Sequence, residues 1–138
     1  AVMASGMEWD SNLLLQISDQ QQDGEKVTAR QIKKHIKQGV TAWICTNDDA
    51  GYRQMRALRD LGVNVPDDVS LCGFDHNIAP ADCVKLTSIN APFADMGAVA
   101  VRVMREKLDN PRREPMRLML GTWLEQGQSI KDLSHNAK

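Results

Sequence analysis

Short apolar runs alternate along this chain with segments in which apolar residues recur every three or four positions. The runs lie at Leu13–Ile17, Ala42–Cys45 and Val69–Phe74. A continuous apolar run of this length is typical of a strand buried on both faces of a parallel sheet. The segments between the runs, Glu25–Gln38 and Ala50–Leu61, predict amphipathic helices. Strands and helices in alternation predict an α/β fold, a parallel sheet flanked by helices and joined by right-handed crossovers.

Residues at the ends of these segments support the same assignment. Gly39 and Gly62 follow the two helices, and glycine commonly ends a helix in the left-handed conformation. Asn47 or Asp48 can accept hydrogen bonds from the free N–H groups at the start of the second helix. A turn that begins at Pro66 then leads into the third strand.

The last third of the chain predicts one more strand and helix, followed by a final strand. Residues Lys85–Ile89 are expected to be extended, and Pro92 is well placed in the first turn of a helix that ends at Asn110. Apolar residues alternate from Met116 onward, which predicts a strand that reaches Trp123. The apolar side chains that we expect the helix to turn inward are Phe93, Met96, Ala100, Val103, Met104 and Leu108.

Polar residues follow the carboxyl ends of two predicted strands. In an open α/β sheet, ligands bind beyond these strand ends, so Asn47 and Asp75 are expected to face one crevice. The Asp75 carboxylate can accept two hydrogen bonds, from adjacent hydroxyl groups or from a ring N–H. A site built on such acceptors rejects analogues that lack those groups. Each residue also has a simpler interpretation, Asp75 as a cap of local backbone and Asn47 as the N-cap of the following helix.

The segment from Asn47 to Asp75 also carries a family resemblance. It reads NDDAGYRQMRALRDLGVNVPDDVSLCGFD and resembles the C-terminal effector-binding lobe of the LacI/GalR family of transcriptional regulators. The pattern of that family begins with an ND pair, continues with a helix that ends in LG and a VPxDVS turn, and ends with GFDD or GYDD. The likeness extends more loosely through LTSI at 86–89 and PF at 92–93 to about residue 130. His76 stands where the family commonly carries a second acidic residue.

The resemblance implies one lobe of a periplasmic-binding-protein-like (type I) fold, incomplete in this chain. The C-terminal lobe would comprise about 1–89 and 112–130, and the helix at about 92–109 would pack on the other lobe. Phe93 matches a position where the family often stacks an aromatic ring on the ligand, and packing at the helix start is the alternative. Asp19 lies near a position where relatives often carry an aromatic residue, which makes it a further candidate for the cleft.

The resemblance also places a dimer surface on the second helix and on the loop that follows the third strand. Homodimers of this family present two DNA-binding headpieces, which would lie outside this chain. Simple solvent exposure is the alternative interpretation of these positions. The candidate interface residues are Tyr52, Arg53, Arg56 and Ile78.

By the same resemblance, the chain is part of the effector-sensing domain of a cytoplasmic transcriptional regulator. A small polar metabolite, either a sugar or a purine-like compound, would bind between two lobes and change how the dimer presents its headpieces to operator DNA. The main alternative is an exported solute-binding protein of a transport system, which shares the fold and has no DNA role.

Length, charge and cysteine content bear on membrane insertion, nucleic-acid binding, compartment and catalysis. The chain has 138 residues, a net charge of −1 and three cysteines, with no apolar run long enough to cross a membrane. Mixed charges provide no polyanion-binding surface, and unpaired cysteines are typical of a reducing compartment. Asp48, Asp49 and Asp75 could form a magnesium-dependent phosphoryl-transfer or hydrolase site, but no lysine, phosphate loop or serine elbow accompanies them. We therefore predict neither enzymatic activity nor a cofactor or metal.

Overall fold

The computed structural model describes residues 11–15 and 24–133. A short 3-10 helix at Ser11–Leu13 precedes three α-helices and four strands. One helix precedes the first strand, the second helix connects the first two strands, and the third connects the last two. In chain order the elements are α1 (Gly24–Ile36), β1 (Ala42–Ile44), α2 (Asp48–Asp60), β2 (Ser70–Phe74), β3 (Thr87–Asn90), α3 (Phe93–Asp109) and β4 (Trp123–Glu125).

The four strands form one mixed sheet in the order β1-β2-β3-β4. The first three strands are parallel, with Ile44 opposite Cys72 and Phe74 opposite Ile89. The fourth is antiparallel to β3, with Asn90 opposite Trp123. The predicted parallel sheet is therefore confirmed for three strands, and the last strand, whose direction the sequence did not predict, makes the sheet mixed. The connection through α3 returns the chain to the edge at which β3 ended, so β4 must run back along it.

β1 is not buried on both faces, contrary to the prediction. Its central residue, Trp43, is half-buried, whereas Ile44 is 81% exposed. Among the described residues β1 has a strand neighbour on one side only, which leaves its other edge and part of its faces uncovered. An apolar run indicates a strand, but it does not reveal how many neighbours that strand has.

Two other predicted strands differ from the structure. In the run Leu13–Ile17, Leu13 ends the 3-10 helix and residues 14–15 are irregular, while residues 16–17 lie outside the described part. The final strand begins at Trp123, and residues 116–122 are irregular. In the described structure residues 116–122 pair with no strand, and alternation alone cannot supply a partner.

The core lies between the sheet and the paired helices α1 and α2. Ile32 of α1, Leu58 of α2, Leu71 of β2 and Leu86 beside β3 are each at most 1% exposed. Gly39 and Gly62, which follow these helices, have φ angles of 97° and 71°. The amphipathic pattern of both helices and their glycine endings are thus confirmed. Arg53, Arg59 and Asp60 are exposed on the outer face of α2.

The apolar face of α3 has no cover within the described structure. None of its residues is buried, and Leu108 is 73% exposed. Together with residues 116–122, this helix lines an apolar groove of about 840 Å³. The predicted inward face of α3 is therefore exposed in this structure, because none of the described elements packs on it.

Gln54 of α2 is a buried polar residue that the sequence analysis did not single out. It is 2% exposed, and neither its amide oxygen nor its amide nitrogen has a hydrogen-bond partner in the described structure. Because methionine has nearly the same length and needs no partner, Gln54→Met is expected to raise the free energy of unfolding of this chain by about 1 to 3 kcal/mol in urea titration. The matched control Gln31→Met, at an exposed position of α1, should change it by less than about 0.5 kcal/mol. A destabilised Gln54→Met chain would contradict this account.

Candidate functional site

The carboxyl ends of three parallel strands meet at one edge of the sheet. The N–H group just beyond β1 at Cys45 donates to the carbonyl of Cys72 at 2.8 Å, so β1 and β2 stay paired to this edge. Asn47 follows β1, Asp75 follows β2 and Phe93 follows β3. The sheet topology therefore brings the predicted residues Asn47 and Asp75 to the same rim. Their role in binding a ligand remains a prediction.

Asn47 is the N-cap of α2. Its backbone is extended, with a φ angle of −155°, and its side-chain oxygen Oδ1 accepts a hydrogen bond of 2.8 Å from the N–H group of Ala50. This confirms the simpler interpretation of Asn47. The cap uses the oxygen and fixes the side chain at the rim, while the amide nitrogen makes no hydrogen bond to the described residues and can still donate.

Asp75 has an unusual backbone conformation. Its φ angle is 99°, and the following residue, His76, also has a positive φ angle of 58°. Such angles are rare for residues other than glycine, and they concentrate at sites that clamp ligands. The Asp75 N–H group donates to the carbonyl of Ile89 at 2.9 Å, whereas its half-buried carboxylate has no hydrogen bond in the described structure. The turn thus presents an acceptor to which none of the described residues donates.

Asp48 is buried, although the sequence placed it in a polar tip. The residue is 1% exposed, and its carboxylate oxygens accept hydrogen bonds of 2.7 Å from the Asn77 N–H group and the Ser88 hydroxyl. A Cβ atom added at Gly73 would overlap the carboxylate oxygen Oδ1 and lie 3.1 Å from Cγ. The glycine of the GFD motif therefore leaves room for the second residue of the ND pair. The joint presence of the two motifs was the only signal for this contact in the sequence.

Aromatic side chains border the rim on the side of β3 and β4. Phe93 begins α3, is 54% exposed and lines the apolar groove together with Phe74. Trp123, which the sequence analysis did not propose for the site, lies opposite Asn90 and is 49% exposed. Its indole Nε1 donates to Glu125 Oε1 at 2.7 Å, and this bond lowers the pKa of the Glu125 carboxyl. Both rings are accessible to a molecule at the rim.

The candidate dimer residues occupy different environments. Tyr52 is 3% exposed, and its hydroxyl accepts a hydrogen bond of 3.3 Å from the Leu86 N–H group. The Tyr52 side chain therefore packs in the core of its own chain, and its role at a dimer interface stays a prediction. Arg53 is exposed, and Ile78 is 95% exposed. Arg56 donates to Asp82 at 2.8 and 2.7 Å, and these bonds hold the pKa of the Asp82 carboxyl well below its usual range.

Other predicted features concern metals, cysteines and membranes. No group of three candidate ligands that could hold a metal lies within the described ranges. All three cysteines are free, and burial raises the pKa of the Cys45 thiol to about 11. No helix in the described part of the chain is long and apolar enough to cross a membrane. Asp19 lies outside the described residues.

Comparison with known proteins identifies the fold. Residues 10–130 match the family of periplasmic binding protein-like domains. The chain belongs to this family. In the structure of the complex of the transcriptional regulator CelR with cellobiose, the matching part has a TM-score of 0.76 and 29% sequence identity, over 93% of this chain and 39% of that one.

Curated relatives of the chain are transcriptional regulators. The HTH-type transcriptional regulator CelR of Thermobifida fusca is 31% identical over 125 residues, which are 90% of this chain and 36% of CelR. The arabinose metabolism transcriptional repressor of Geobacillus stearothermophilus is 37% identical over 70 residues, which are 50% of this chain and 19% of the repressor. The chain thus spans about a third or less of the length of these relatives. The resemblance to LacI/GalR regulators drawn from the sequence is confirmed, and these relatives are regulators rather than enzymes.

Proposed function

We propose that this chain is the effector-sensing part of a cytoplasmic LacI-type transcriptional regulator. In this proposal a small polar metabolite, a sugar or a purine-like compound, binds at the rim where the three parallel strands end. The observation that carries the proposal is the Asp75 carboxylate, which stands in a positive-φ turn without a hydrogen-bond partner among the described residues. The similarity to CelR, whose structure is a complex with cellobiose, favours a sugar.

The rim offers the contacts that a sugar needs. The Asp75 carboxylate can accept hydrogen bonds from two neighbouring hydroxyl groups, and the Asn47 amide nitrogen can donate one to a hydroxyl oxygen. Phe93 is exposed at the start of α3 and can cover one face of a sugar ring or a purine. Asp19 remains a candidate for the same cleft. Polar contacts would then fix the orientation of the metabolite, and the aromatic ring would exclude water.

Regulation requires that binding at the rim changes the arrangement of a dimer. We place the homodimer surface on the exposed side of α2 and on the loop after β2, with Arg53, Arg56 and Ile78 as candidate contacts. Operator DNA would be bound by a headpiece outside this chain, and the helix α3 would pack on a second lobe. A coupling free energy of about 1 to 3 kcal/mol between effector and operator would change operator affinity roughly 5- to 150-fold.

A thermal-shift screen of the full-length protein tests the proposal. Cellobiose, arabinose, ribose and adenine are each added at increasing concentration, and at least one is expected to raise the melting temperature in a saturable manner. At 100 times its dissociation constant, a ligand stabilises the folded state by about 2.7 kcal/mol. The compound that raises the melting temperature should also change the affinity of the full-length protein for promoter DNA taken from the neighbourhood of its own gene. Saturable binding without any effect on DNA affinity would favour a solute-binding protein instead.

A further inference from the structure

We infer that Asp48 is a positioning residue that holds the turn at residues 75–77 in the conformation which presents the Asp75 carboxylate to the rim. The order of this turn can be measured without any ligand. Its consequence for metabolite binding rests on the proposed function.

Three hydrogen bonds fix the backbone of this turn. The Asp75 N–H group donates to the Ile89 carbonyl at 2.9 Å. The His76 N–H group donates to the Ser88 hydroxyl oxygen at 3.1 Å, and the Asn77 N–H group donates to Asp48 Oδ2 at 2.7 Å. The Ser88 hydroxyl in turn donates to Asp48 Oδ1 at 2.7 Å. Asp48 therefore holds Asn77 directly and His76 through Ser88. The one remaining bond, at Asp75, comes from the neighbouring strand.

The turn needs this support because its backbone is strained. Two successive residues other than glycine, Asp75 and His76, have φ angles of 99° and 58°. Such a conformation is less stable than an ordinary one, and it persists only where the surroundings hold it. Without Asp48 the turn could relax, and the Asp75 side chain would then lose its fixed direction.

The chemistry of the site requires a carboxylate at position 48. Both of its oxygens accept from a donor, one from a hydroxyl and one from an N–H group. An asparagine at this position would direct its NH2 group either at the Asn77 N–H group, which is also a donor, or at Ser88, whose hydroxyl would then accept from position 48 as well as from His76 and could no longer donate to position 48. The carboxylate also lies in the first turn of α2, where the positive end of the helix dipole favours a negative charge. Hydrogen bonds to a buried charge are stronger than those between neutral groups.

The chain provides a matched control at the next position. Asp49 carries the same charge in the same helical turn, but it is exposed, and among the described residues its Oδ1 accepts only from the Asn77 side-chain amide at 3.3 Å. Asp49→Asn therefore removes an equal charge from the helix end without touching the backbone of the turn. A difference between Asp48→Asn and Asp49→Asn reports on the buried hydrogen bonds rather than on net charge.

Hydrogen exchange of the full-length protein without ligand tests the inference. In Asp48→Asn the amides of residues 76–77 are expected to exchange about 10- to 100-fold faster than in the wild type, while the Leu71 amide, which is bonded to Ser129, keeps its rate. In Asp49→Asn all these rates should stay within about 2-fold. Equal acceleration at residues 71 and 76–77 would mean a general loss of stability and would overturn the inference, as would unchanged exchange at 76–77.

Two further arms keep the result interpretable. If Asp48→Asn does not fold, Ser88→Ala replaces it. In this variant the exchange of the His76 amide is expected to accelerate, relative to the wild type, more than that of the Leu71 amide. Equal acceleration of the two amides would contradict the inference. Calorimetric titration then uses whichever of cellobiose, arabinose, ribose or adenine binds the wild type. Asp48→Asn should weaken that binding at least 10-fold, and Asp49→Asn less than 2-fold. Equal affinity of both variants for that compound would overturn the positioning role. A wild type that binds none of the four compounds would contradict the proposed function, and the exchange rates alone would then decide whether Asp48 positions the turn.

Discussion

Replacement of Gly73 by alanine is expected to lower the free energy of unfolding by about 2 to 4 kcal/mol, because it combines overpacking with the loss of a buried hydrogen bond. The new methyl group would overlap Asp48 Oδ1 and lie 3.4 Å from the Asp48 Cα atom. The carboxylate can avoid it only by moving away from Ser88, to which it is bonded at 2.7 Å. Gly73 is buried in the middle of the sheet, so the strand itself cannot shift without disturbing both of its neighbours.

Urea titration of the wild type and of Gly73→Ala measures this loss of unfolding free energy, and a substitution at Gly97 is the control. Gly97 lies within α3, and a Cβ atom added there meets nothing within 4 Å. Gly97→Ala should therefore be neutral or stabilise the chain by up to about 1 kcal/mol through its helix propensity. If Gly73→Ala unfolds within about 0.5 kcal/mol of the wild type, the packing of the ND pair against the GFD glycine is not as described.

The substitution Asp75→Asn is expected to weaken the binding of the responding metabolite about 10- to 100-fold, since hydrogen bonds to a charged group contribute about 1.5 to 3 kcal/mol. The amide keeps the size of the side chain and one acceptor, but it loses the charge and the second acceptor. Because the carboxylate has no hydrogen bond to the described residues, the melting temperature without ligand should change little.

Calorimetric titration of the full-length protein measures this affinity. Asp67→Asn is the matched control, because Asp67 is an exposed carboxylate in the turn before β2, at the opposite end of that strand. It should bind the metabolite within about 2-fold of the wild type. Equal affinities for wild type, Asp67→Asn and Asp75→Asn would show that Asp75 does not contact the metabolite.

Local patterns in the sequence were sufficient for the elements around the rim. The helical repeat of α2 and its end at Gly62 depend on residues close together in the chain, and both were predicted correctly. The shared rim of Asn47 and Asp75 followed from one general rule, that parallel neighbouring strands end at the same edge of a sheet. The family resemblance added the effector-binding interpretation, which no periodicity contains.

Features that depend on distant partners could not be predicted in the same way. Ile44 reads as a core residue, and its exposure depends on whether a further strand lies beside β1. The direction of β4 depends on where the connection through α3 returns. From the sequence, Asp48 is expected to lie in an exposed polar segment after β1. Its burial is explained by its hydrogen bonds to Ser88 and Asn77, which lie 40 and 29 residues away along the chain. The buried hydroxyl of Tyr52 is a similar case.

A crystal structure of the full-length protein with the metabolite that gives the largest thermal shift tests the central claim most directly. We expect the metabolite beyond the carboxyl ends of β1, β2 and β3, with one of its hydroxyl or N–H groups about 2.6 to 3.1 Å from a carboxylate oxygen of Asp75 and a second polar atom bonded to the Asn47 amide. A metabolite bound elsewhere, with Asp75 and Asn47 both facing water, would contradict the account.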